Sequence, residues 1–291
     1  MDKLKVLVTG GAGFIGSSLC RILEKPVVLD WKNRKPGINF EYVKHDIRKP
    51  LRMFGKDIEA VVHLAALTGK KECAMNPKMA REINIGGTRN VLEFCRHQDI
   101  NQFIMASTCA AYCEKQGLYL QTKIAGEELC KEYTKKYGIN TVILRFANIY
   151  GVGAFVKDKL TVIPIFVLKA LLGEPLLIEG DGSQTRDFIH INDVCYAIKK
   201  ALKYPKHDTF FIGTGTETSI NQLAQIIIKK MRILYGKYVT VKHVPFPKWR
   251  SKTSRAEIPF DETEQKLGWK AQISIDRGIE NLLMFPYYSI A

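Results

Sequence analysis

The sequence lacks several features that define large classes of proteins. No apolar run approaches the ~20 residues that span a bilayer, so a membrane-spanning protein is not expected. The basic residues at the start are not followed by a long apolar region, so a signal peptide is not expected either. The 7 cysteines are scattered, without a CxxC pair or zinc-like spacing. We therefore expect a cytoplasmic protein with reduced thiols and no metal site.

Acidic residues are few relative to basic ones: 29 Asp and Glu stand against 44 Lys and Arg, giving a formal net charge of +15. Such a balance fits nucleic acid as a partner, an anionic small substrate, or a lysine-rich surface. The lysines occur in pairs rather than in a long basic tract, and aromatic residues are not interleaved with them as on a base-stacking surface. A nucleic-acid partner is therefore not expected.

Short apolar runs rich in β-branched residues alternate with helical periods in the first half of the chain. The runs are too short for helices and predict strands at "KVLVTG", "PVVLD", "AVVHLAA", "QFIMAS" and "TVILRFAN". The helical periods predict helices over residues 14–24, 77–97 and 119–137. This alternation predicts an α/β fold with a Rossmann-type, doubly wound parallel sheet that carries helices on both faces.

The first predicted strand runs directly into a glycine-rich turn, "TGGAGFIG" at residues 9–16. Gly10, Gly13 and Gly16 form a GxxGxxG pattern, because the backbone there must turn sharply and approach a pyrophosphate closely. Asp30 closes the second predicted strand, where a carboxylate accepts the ribose hydroxyls of adenosine and repels a 2′-phosphate. NAD is therefore predicted over NADP. Three nearby basic residues weaken that preference: Lys32, Arg34 and Lys35.

After about residue 150 the alternation loosens and glycine-bearing loops separate shorter elements. We predict a helix at about 163–172, a strand at "TFFIGTG", a helix at 220–231 and two short helices around Gly268. The interpretation is an NAD-binding Rossmann domain over residues 1–150, with returning segments at about 187–200 and 209–215. Residues 151–291 are predicted to form mainly a smaller, substrate-binding domain.

Several further motifs follow the glycine turn in a fixed order: "HDI" at 45–47, "VVHLAA" at 61–66, "NIGGTRNVLEFC" at 84–95, "LRFANIYG" at 144–151, "GDGSQTRDFIHINDV" at 180–194, "IGTGTETSI", and "LGW" at 267–269. With them, the chain from Lys5 to about Leu283 resembles an extended short-chain dehydrogenase/reductase of the nucleotide-sugar epimerase type, similar to UDP-glucose 4-epimerases. Motifs in this order are specific for the family and much less specific for the substrate.

The resemblance implies NAD as cofactor and a nucleotide sugar, above all a UDP-hexose, as substrate. The residues implied to line or support the cofactor are Gly10, Gly13, Phe14, Ile15, Gly16, Asp30, Asp46, Ile47, Leu64, Ala65, Ala66, Asn84, Tyr119 and Lys123. The residues implied to reach the substrate are Thr108, Tyr119, Asn148, Arg186, and Arg250 or Arg255. The resemblance also implies a homodimer built from helices 77–97 and 119–137.

The stretch "STCAAYCEKQGLYLQTK" at residues 107–123 holds the catalytic residues that the resemblance implies, Thr108, Tyr119 and Lys123. Residues four apart share one helical face, so the ammonium of Lys123 is expected below the phenol of Tyr119. A cation about 5 Å away at an effective dielectric near 20 favours the phenolate by roughly 3 kcal/mol, or about two pKa units. Tyr119 is then expected to serve as base and as acid at successive stages, while Thr108 hydrogen-bonds the reacting oxygen.

Two departures from relatives lie in the same stretch. Only residues 109–118 separate Thr108 from Tyr119, whereas relatives carry a longer loop. We interpret this as a compact member with its catalytic set kept; the alternative is a relative that binds NAD without chemistry. Relatives that dehydrate sugars place carboxylic residues after the Thr, but this chain has Cys109, Ala110 and Ala111. A 4,6-dehydratase or a decarboxylase is therefore disfavoured.

The leading hypothesis from the sequence is NAD-dependent epimerisation of a nucleotide sugar at C4 through a transient 4-keto intermediate. A second hypothesis is a C3/C5 epimerase or a reductase of a 4-keto nucleotide sugar that uses Cys109 as an acid–base group, although a small thiol also packs well as an apolar filler. A third is a non-catalytic NAD- or RNA-binding protein on the same scaffold, which the net charge of +15 motivates.

Overall fold

A computed structural model of the chain describes residues 4–33, 39–51, 57–113, 117–154, 161–246 and 259–285. The chain divides into two compact units. The first unit comprises Met1–Phe146, Val194–Ile212 and Ile258–Lys270. The second unit comprises Ala147–Asp193, Gly213–Glu257 and Ala271–Ala291.

Strands occur in both units. Those within the described ranges are β1 (Lys5–Thr9), β2 (Lys25–Asp30), β3 (Glu41–Lys44), β4 (Ala60–His63), β5 (Gln102–Thr108), β6 (Asn140–Phe146), β7 (Asn148–Tyr150), β8 (Leu176–Glu179), β9 (Thr185–His190), β10 (Asp208–Ile212), β11 (Glu217–Ser219) and β12 (Val241–Val244). In the first unit, seven of these described strands form one parallel sheet in the order β10-β6-β5-β4-β1-β2-β3. The order reverses direction between β1 and β4, which is the doubly wound arrangement, so the predicted fold class is confirmed.

Helices connect the strands. Those in the described part of the chain are α1 (Phe14–Cys20), α2 (Lys70–Met75), α3 (Pro77–Arg81), a π-helical segment (Glu82–Gly87), α4 (Thr88–His97), α5 (Ala110–Cys113), α6 (Leu118–Tyr137), α7 (Val162–Leu172), α8 (Ile191–Ala201), α9 (Ile220–Tyr235), α10 (Phe260–Leu267) and α11 (Ile275–Met284). Among these described helices, none combines the length and the apolar character that crossing a membrane requires.

The central strands of the large sheet are buried on both faces, which explains their nearly continuous apolar sequences. Leu7 and Val8 of β1 and Val61 and Val62 of β4 are each 0% exposed. Strands β5 and β6 pair over their full lengths, from Gln102 opposite Asn140 to Thr108 opposite Phe146. This register brings the carboxyl ends of the two strands together at the edge of the sheet where ligands bind in such folds.

The second unit has a core of its own. Strands β11, β9 and β7 form one small sheet, β12 pairs with β8 in another, and the side chains of α7, α9 and α11 pack together with them. Tyr150 is buried in this core against α11. A Cβ added at Gly278 would lie 2.0 Å from the Tyr150 hydroxyl, so α11 can approach this ring only with glycine at that position.

Two predicted elements differ from the observed ones. The predicted helix at 77–97 is helical throughout, but it is not uniformly α-helical, because the π-helical segment Glu82–Gly87 lies between α3 and α4. Such segments are frequently found at functional sites, and this one places the buried side chain of Asn84 against Leu67 and Thr122. The predicted helix at 14–24 ends earlier, at Cys20, and β2 begins soon afterwards at Lys25.

Candidate active site

The glycine turn after β1 packs backbone directly against backbone. Gly10 has φ +69°, and a Cβ placed on it would lie 2.8 Å from the amide nitrogen of Ala65. A Cβ placed on Gly16 would lie 2.4 Å from the carbonyl oxygen of Gly10. Since real Cβ atoms do not approach that closely, the turn requires glycine at these positions.

Helix α1 begins immediately after the turn. Its N-cap residue is Gly13, and no side chain caps it. The amides of the first turn belong to Phe14, Ile15 and Gly16, and amides at this position have no acceptor within the helix. Helix N-termini of this kind, reached through a glycine turn, bind phosphate groups. The residues present therefore fit the pyrophosphate of a dinucleotide.

Asp30 ties the glycine turn to the end of β2. Its carboxyl group is nearly buried, and its two oxygens accept hydrogen bonds from the amides of Ala12 and Lys32, each at 3.1 Å. A carboxylate has about four lone-pair sites, so both oxygens keep the capacity to accept from ribose hydroxyls. Trp31, which was not predicted as a site residue, follows with 68% of its surface exposed. Arg34 and Lys35 lie outside the described residues.

The segment after β3 contains Asp46 and Ile47, which were predicted to flank adenine. The Arg48 guanidinium forms an ion pair with Asp46, with Nη2 and Oδ2 2.5 Å apart, and holds the pKa of that carboxyl below its usual range. Ile47 is buried in the core, and Asn90 donates to its carbonyl at 2.8 Å. Both side chains are thus engaged within the protein, and their contacts fix this segment in place.

The loop after β4, residues 64–67, is anchored at both ends. Its first two amides donate to the carbonyl and the hydroxyl of Thr9, at 3.1 and 3.3 Å. Its last residue exchanges two hydrogen bonds with the side-chain amide of Asn84, at 2.7 and 3.0 Å. Asn84 therefore holds the loop in position. The loop contains three of the predicted cofactor residues: Leu64, Ala65 and Ala66.

His63 links this anchor to the glycine turn. Its Nδ1 lies 2.8 Å from the hydroxyl oxygen of Thr9, and its Nε2 lies 3.0 Å from that of Thr88. Thr88 donates its own proton to the carbonyl of Asn84, so it accepts from His63, and Nε2 carries the ring proton. Burial and, to a lesser extent, the charge of Lys123 together lower the pKa of His63 to about 3. The ring is therefore neutral in the folded protein near neutral pH.

Tyr119 and Lys123 lie one turn apart on α6, the arrangement that their spacing predicts. The Lys123 ammonium is buried and donates to the carbonyl of Ala106 on β5 at 2.9 Å. Burial lowers its pKa to about 8, and the carboxylate of Glu127 opposes that shift. Tyr119 is half-buried, and the desolvation of its phenol raises the pKa to about 12, with a further contribution from Cys73.

The pKa of Tyr119 shifts in the opposite direction to the one predicted from the sequence. A fall of about two pKa units was predicted from the charge of Lys123 alone. In the structure the pKa rises instead, because burial removes the phenolate from water, and the Lys123 ammonium donates to the carbonyl of Ala106. Tyr119 therefore holds its proton at neutral pH in the folded protein.

Thr108 ends β5, and its hydroxyl oxygen accepts from the amide of Ala110 at 3.3 Å, which leaves its proton available to a ligand. Cys109 turns the other way. Its thiol is buried and donates to the carbonyl of Arg145 at 3.1 Å, while its amide donates to Phe146 at 2.9 Å. Helix α5 follows, and residues 114–116 between it and α6 lie outside the described ranges.

One ion pair beside these residues was not predicted. The carboxyl group of Glu127 on α6 is 2% exposed, and its Oε2 lies 2.5 Å from Nη2 of Arg145. Its Oε1 accepts from the hydroxyl of Ser107 at 2.5 Å. The position of Glu127 near the catalytic residues could have been predicted from the sequence, since Glu127 follows Lys123 by four residues and therefore shares its helical face.

The predicted substrate residues after position 146 lie in the second unit. Asn148 is on β7 and donates to the carbonyl of Asp187 on the neighbouring strand β9, at 3.1 Å. Arg186 precedes Asp187 on that strand, and its Nη1 donates to the carbonyl of Thr185 at 2.6 Å. Arg250 and Arg255 were also predicted to reach the substrate, and both lie outside the described residues. Across the described ranges, no cluster of His, Cys, Asp and Glu could hold a metal ion.

Comparison with known proteins places this arrangement among nucleotide-sugar enzymes. A sequence model of the NAD dependent epimerase/dehydratase family matches residues 6–213. The chain is 36% identical over 303 residues to a putative UDP-glucose 4-epimerase of Methanocaldococcus jannaschii, covering 96% of this chain and 97% of that protein.

Solved structures of nucleotide-sugar epimerases also match this chain. The UDP-glucose 4-epimerase of Thermotoga maritima, crystallised with UDP-glucose, matches with a TM-score of 0.84 and 26% identity over 96% of this chain and 97% of that one. The UDP-glucuronic acid 4-epimerase of Bacillus cereus, in complex with UDP-glucuronic acid and NAD, matches with a TM-score of 0.77 and 29% identity over 96% and 97% of the two chains.

Replacing Gly16 by Ala is expected to weaken NADH binding by about tenfold or more, because the new Cβ would lie 2.4 Å from the carbonyl oxygen of Gly10 and displace the turn. Energy transfer from tryptophan to NADH measures the affinity. The matched control is Gly86→Ala, since a Cβ at Gly86 meets nothing within 4 Å. Equal NADH affinities of the two variants would contradict the assignment of the turn.

Proposed function

The chain belongs to the NAD dependent epimerase/dehydratase family, and we propose that it interconverts nucleotide sugars that differ in configuration at C4, with a UDP-hexose as substrate. Family membership confirms three predictions from the sequence: an enzyme of the extended short-chain dehydrogenase/reductase type, NAD as its cofactor, and nucleotide-sugar chemistry. The choice of C4 and of a UDP-hexose goes further and has support of its own.

The observation that carries the choice of C4 is the chemistry of the residues around Thr108. In the described part of the stretch 107–123, Ala110 and Ala111 follow Cys109, and the Cys109 thiol is occupied by a backbone carbonyl. A second acid–base group, which elimination at C6 or epimerisation beside a ketone requires, is absent from these described positions. Tyr119 remains as the proton-transfer group, and oxidation and reduction at one carbinol require one such group.

Similarity to named proteins supports the same choice. The relative from Methanocaldococcus jannaschii is described as a putative UDP-glucose 4-epimerase, and the Thermotoga maritima structure is a UDP-glucose 4-epimerase with UDP-glucose. The Bacillus cereus structure is also a 4-epimerase, acting on a sugar acid. These three proteins share a nucleotide, UDP, and a reacting position, C4, but differ at C6 of the sugar.

In the proposed mechanism the chain holds both ligands and moves one proton. When bound, NAD supplies the acceptor and donor of hydride. The glycine turn and the amides of α1 hold its pyrophosphate, and Asp30 holds its ribose. In its phenolate form, Tyr119 would accept the proton of the C4 hydroxyl as hydride leaves C4, and the resulting phenol would return that proton to the same oxygen when hydride is restored; the Thr108 hydroxyl donates to that oxygen. The 4-keto sugar presents its other face before the proton returns.

Lys123 makes this proton transfer feasible. Burial disfavours the phenolate of Tyr119, but the same low dielectric strengthens the attraction between a phenolate and the nearby ammonium. The hydrogen bond to Ala106 uses one of the three ammonium protons and holds the charge in place while charge develops on the phenol. Its charged form is therefore required throughout the reaction.

Tyr119→Phe is expected to lower turnover by roughly 10²–10⁴-fold, because it removes the proton-transfer group and keeps the ring. Turnover is measured by chromatography of products from a panel of UDP-, dTDP- and GDP-hexoses. Tyr112→Phe is the control, since Tyr112 is half exposed and packs its ring edge against Phe211 at 5.0 Å. Normal epimerisation by Tyr119→Phe would rule out the assigned base.

Cys109→Ala is expected to change turnover by less than about threefold, because the thiol donates a weak hydrogen bond to a backbone carbonyl and takes no part in the proposed proton transfer. The measurement uses the hexose panel and, in parallel, 4-keto-6-deoxy nucleotide sugars. Loss of turnover by about a hundredfold, on 4-keto substrates in particular, would instead favour a C3/C5 epimerase or a reductase.

We also propose that the protein is a homodimer formed through residues 77–97 and 119–137. Exposed methionines on α2 and α3 support this, since Met75 is 70% and Met79 41% exposed. Sedimentation velocity should give twice the 33.0 kDa chain mass. Met79→Glu should weaken association by about tenfold or more, because it buries an unpaired charge. Met284→Glu on α11 is the control: Met284 is 61% exposed, and this change should leave association unaffected. A monomer at all concentrations would contradict the proposal.

A further inference from the structure

The side chain of Glu127 is the most fully engaged acidic group near the catalytic residues. It lies on α6 one turn beyond Lys123 and two turns beyond Tyr119. The Oε1 atom accepts from the Ser107 hydroxyl at 2.5 Å and from Nε of Arg145 at 3.0 Å, and Oε2 accepts from Nη2 of Arg145 at 2.5 Å. A carboxylate this buried is held by a paired cation and a hydroxyl together, which is how such a charge is tolerated.

These contacts fall on the strand residues that precede the catalytic Thr108. Ala106 accepts from Lys123 through its carbonyl, and Ser107 donates to Glu127 through its hydroxyl. Two neighbouring residues of β5 are therefore joined to two positions of α6 one turn apart. The next residue along the strand is Thr108, so the same pair of contacts sets its position relative to α6.

We propose that Glu127 is a positioning residue of the catalytic set: it fixes the end of β5 to α6 through Ser107, and it supplies the negative charge that holds Lys123 in its ammonium form. The inference rests on the proposed function in one respect, since it takes Thr108, Tyr119 and Lys123 as the catalytic residues.

The charge environment of Lys123 supports this role. The titratable groups that interact with it electrostatically are Glu127 and Cys130 on α6, Cys73 on α2 and His63 on β4. His63 is neutral, and burial raises the pKa of the Cys130 thiol. Burial lowers the pKa of Lys123, and Glu127 is the largest influence that raises it, with a net result of about 8. With a pKa so close to neutrality, losing one nearby negative charge changes the fraction of ammonium.

Arg145 is the cation that pairs with this carboxylate. It lies on β6 opposite Ser107, and its Nη2 lies 2.5 Å from Oε2 of Glu127. The hydrogen bond to Glu127 raises the pKa of Arg145, so the arginine remains charged. Removing the charge of Glu127 would leave this guanidinium without its paired carboxylate.

The test is a direct titration of Lys123 by NMR in protein labelled with ¹³C at the lysine ε-carbon. The resonance is identified by its absence in Lys123→Arg. In Glu127→Gln we expect the midpoint to fall by about one pKa unit or more below that of the unmodified protein, which is the order of the Coulomb energy between charges one helical turn apart, about 6 Å, at a dielectric near 20. An unchanged midpoint would overturn the proposal.

The matched control is Glu128→Gln, one position along the same helix. Glu128 is 62% exposed and pairs with Lys131 at the surface, 2.8 Å away, so its removal should leave the Lys123 midpoint within about 0.2 units, as for a screened surface charge. An equal fall in both variants would show a general helix effect and would overturn the assignment to Glu127.

A second variant keeps the test decisive if Glu127→Gln does not fold. Arg145→Gln removes the cation and leaves the carboxylate, so the Lys123 midpoint should rise, opposite in sign to the effect of Glu127→Gln. A residue with a purely structural role would change the melting temperature of the protein without moving the midpoint in either direction. No movement in Arg145→Gln would overturn the proposal.

Turnover separates this inference from the proposed function. If the protein epimerises nucleotide sugars, the alkaline limb of its pH–rate profile should shift in Glu127→Gln by the amount seen in the titration, and Ser107→Ala should lower turnover by about tenfold without moving the midpoint. A shifted Lys123 midpoint in a protein without epimerase activity would contradict the proposed function and leave the role of Glu127 intact. An active epimerase with an unshifted midpoint would contradict the role of Glu127 and leave the proposed function intact.

Discussion

Two hydrogen bonds between α6 and the end of β5 govern the candidate active site. Lys123 donates to the carbonyl of Ala106, and Ser107 donates to Glu127 one helical turn further on. A helix and a strand joined at two adjacent points cannot slide past each other without breaking a buried polar contact, which is costly. The phenol of Tyr119 and the hydroxyl of Thr108 are carried by these same elements, so their relative positions follow from this junction.

The burial that makes the junction rigid also sets its electrostatics. Desolvation raises the pKa of Tyr119 to about 12 and lowers that of Lys123 to about 8, so each group is pushed toward its neutral form. A phenolate and an ammonium are then each unfavourable alone but strongly attracted when both are present. In this setting the carboxylate of Glu127, itself held by Arg145, determines how much of the ammonium persists near neutral pH.

Local patterns in the sequence were enough to predict the sheet and to select candidate residues for the site. The glycine turn, Asp30 and the Tyr119–Lys123 spacing depend on neighbouring residues, and short apolar runs gave the central strands. The π-helical segment at Glu82–Gly87 was not predictable in this way, and neither were the contacts that its Asn84 makes with Leu67 and Thr122, which are distant in sequence. The direction of the Tyr119 pKa shift depends on burial. The spacing of two residues along a helix carries no information about burial.

We expect this junction to present the Tyr119 phenol to the reacting carbinol, and a crystal structure with NAD and a UDP-hexose bound would show whether it does. The phenolic oxygen of Tyr119 should lie within hydrogen-bonding distance, about 2.6–3.2 Å, of the sugar O4, with the Thr108 hydroxyl bonded to the same atom. A sugar whose O4 contacts another side chain, with the phenol of Tyr119 beyond the reach of one bridging water, would contradict it.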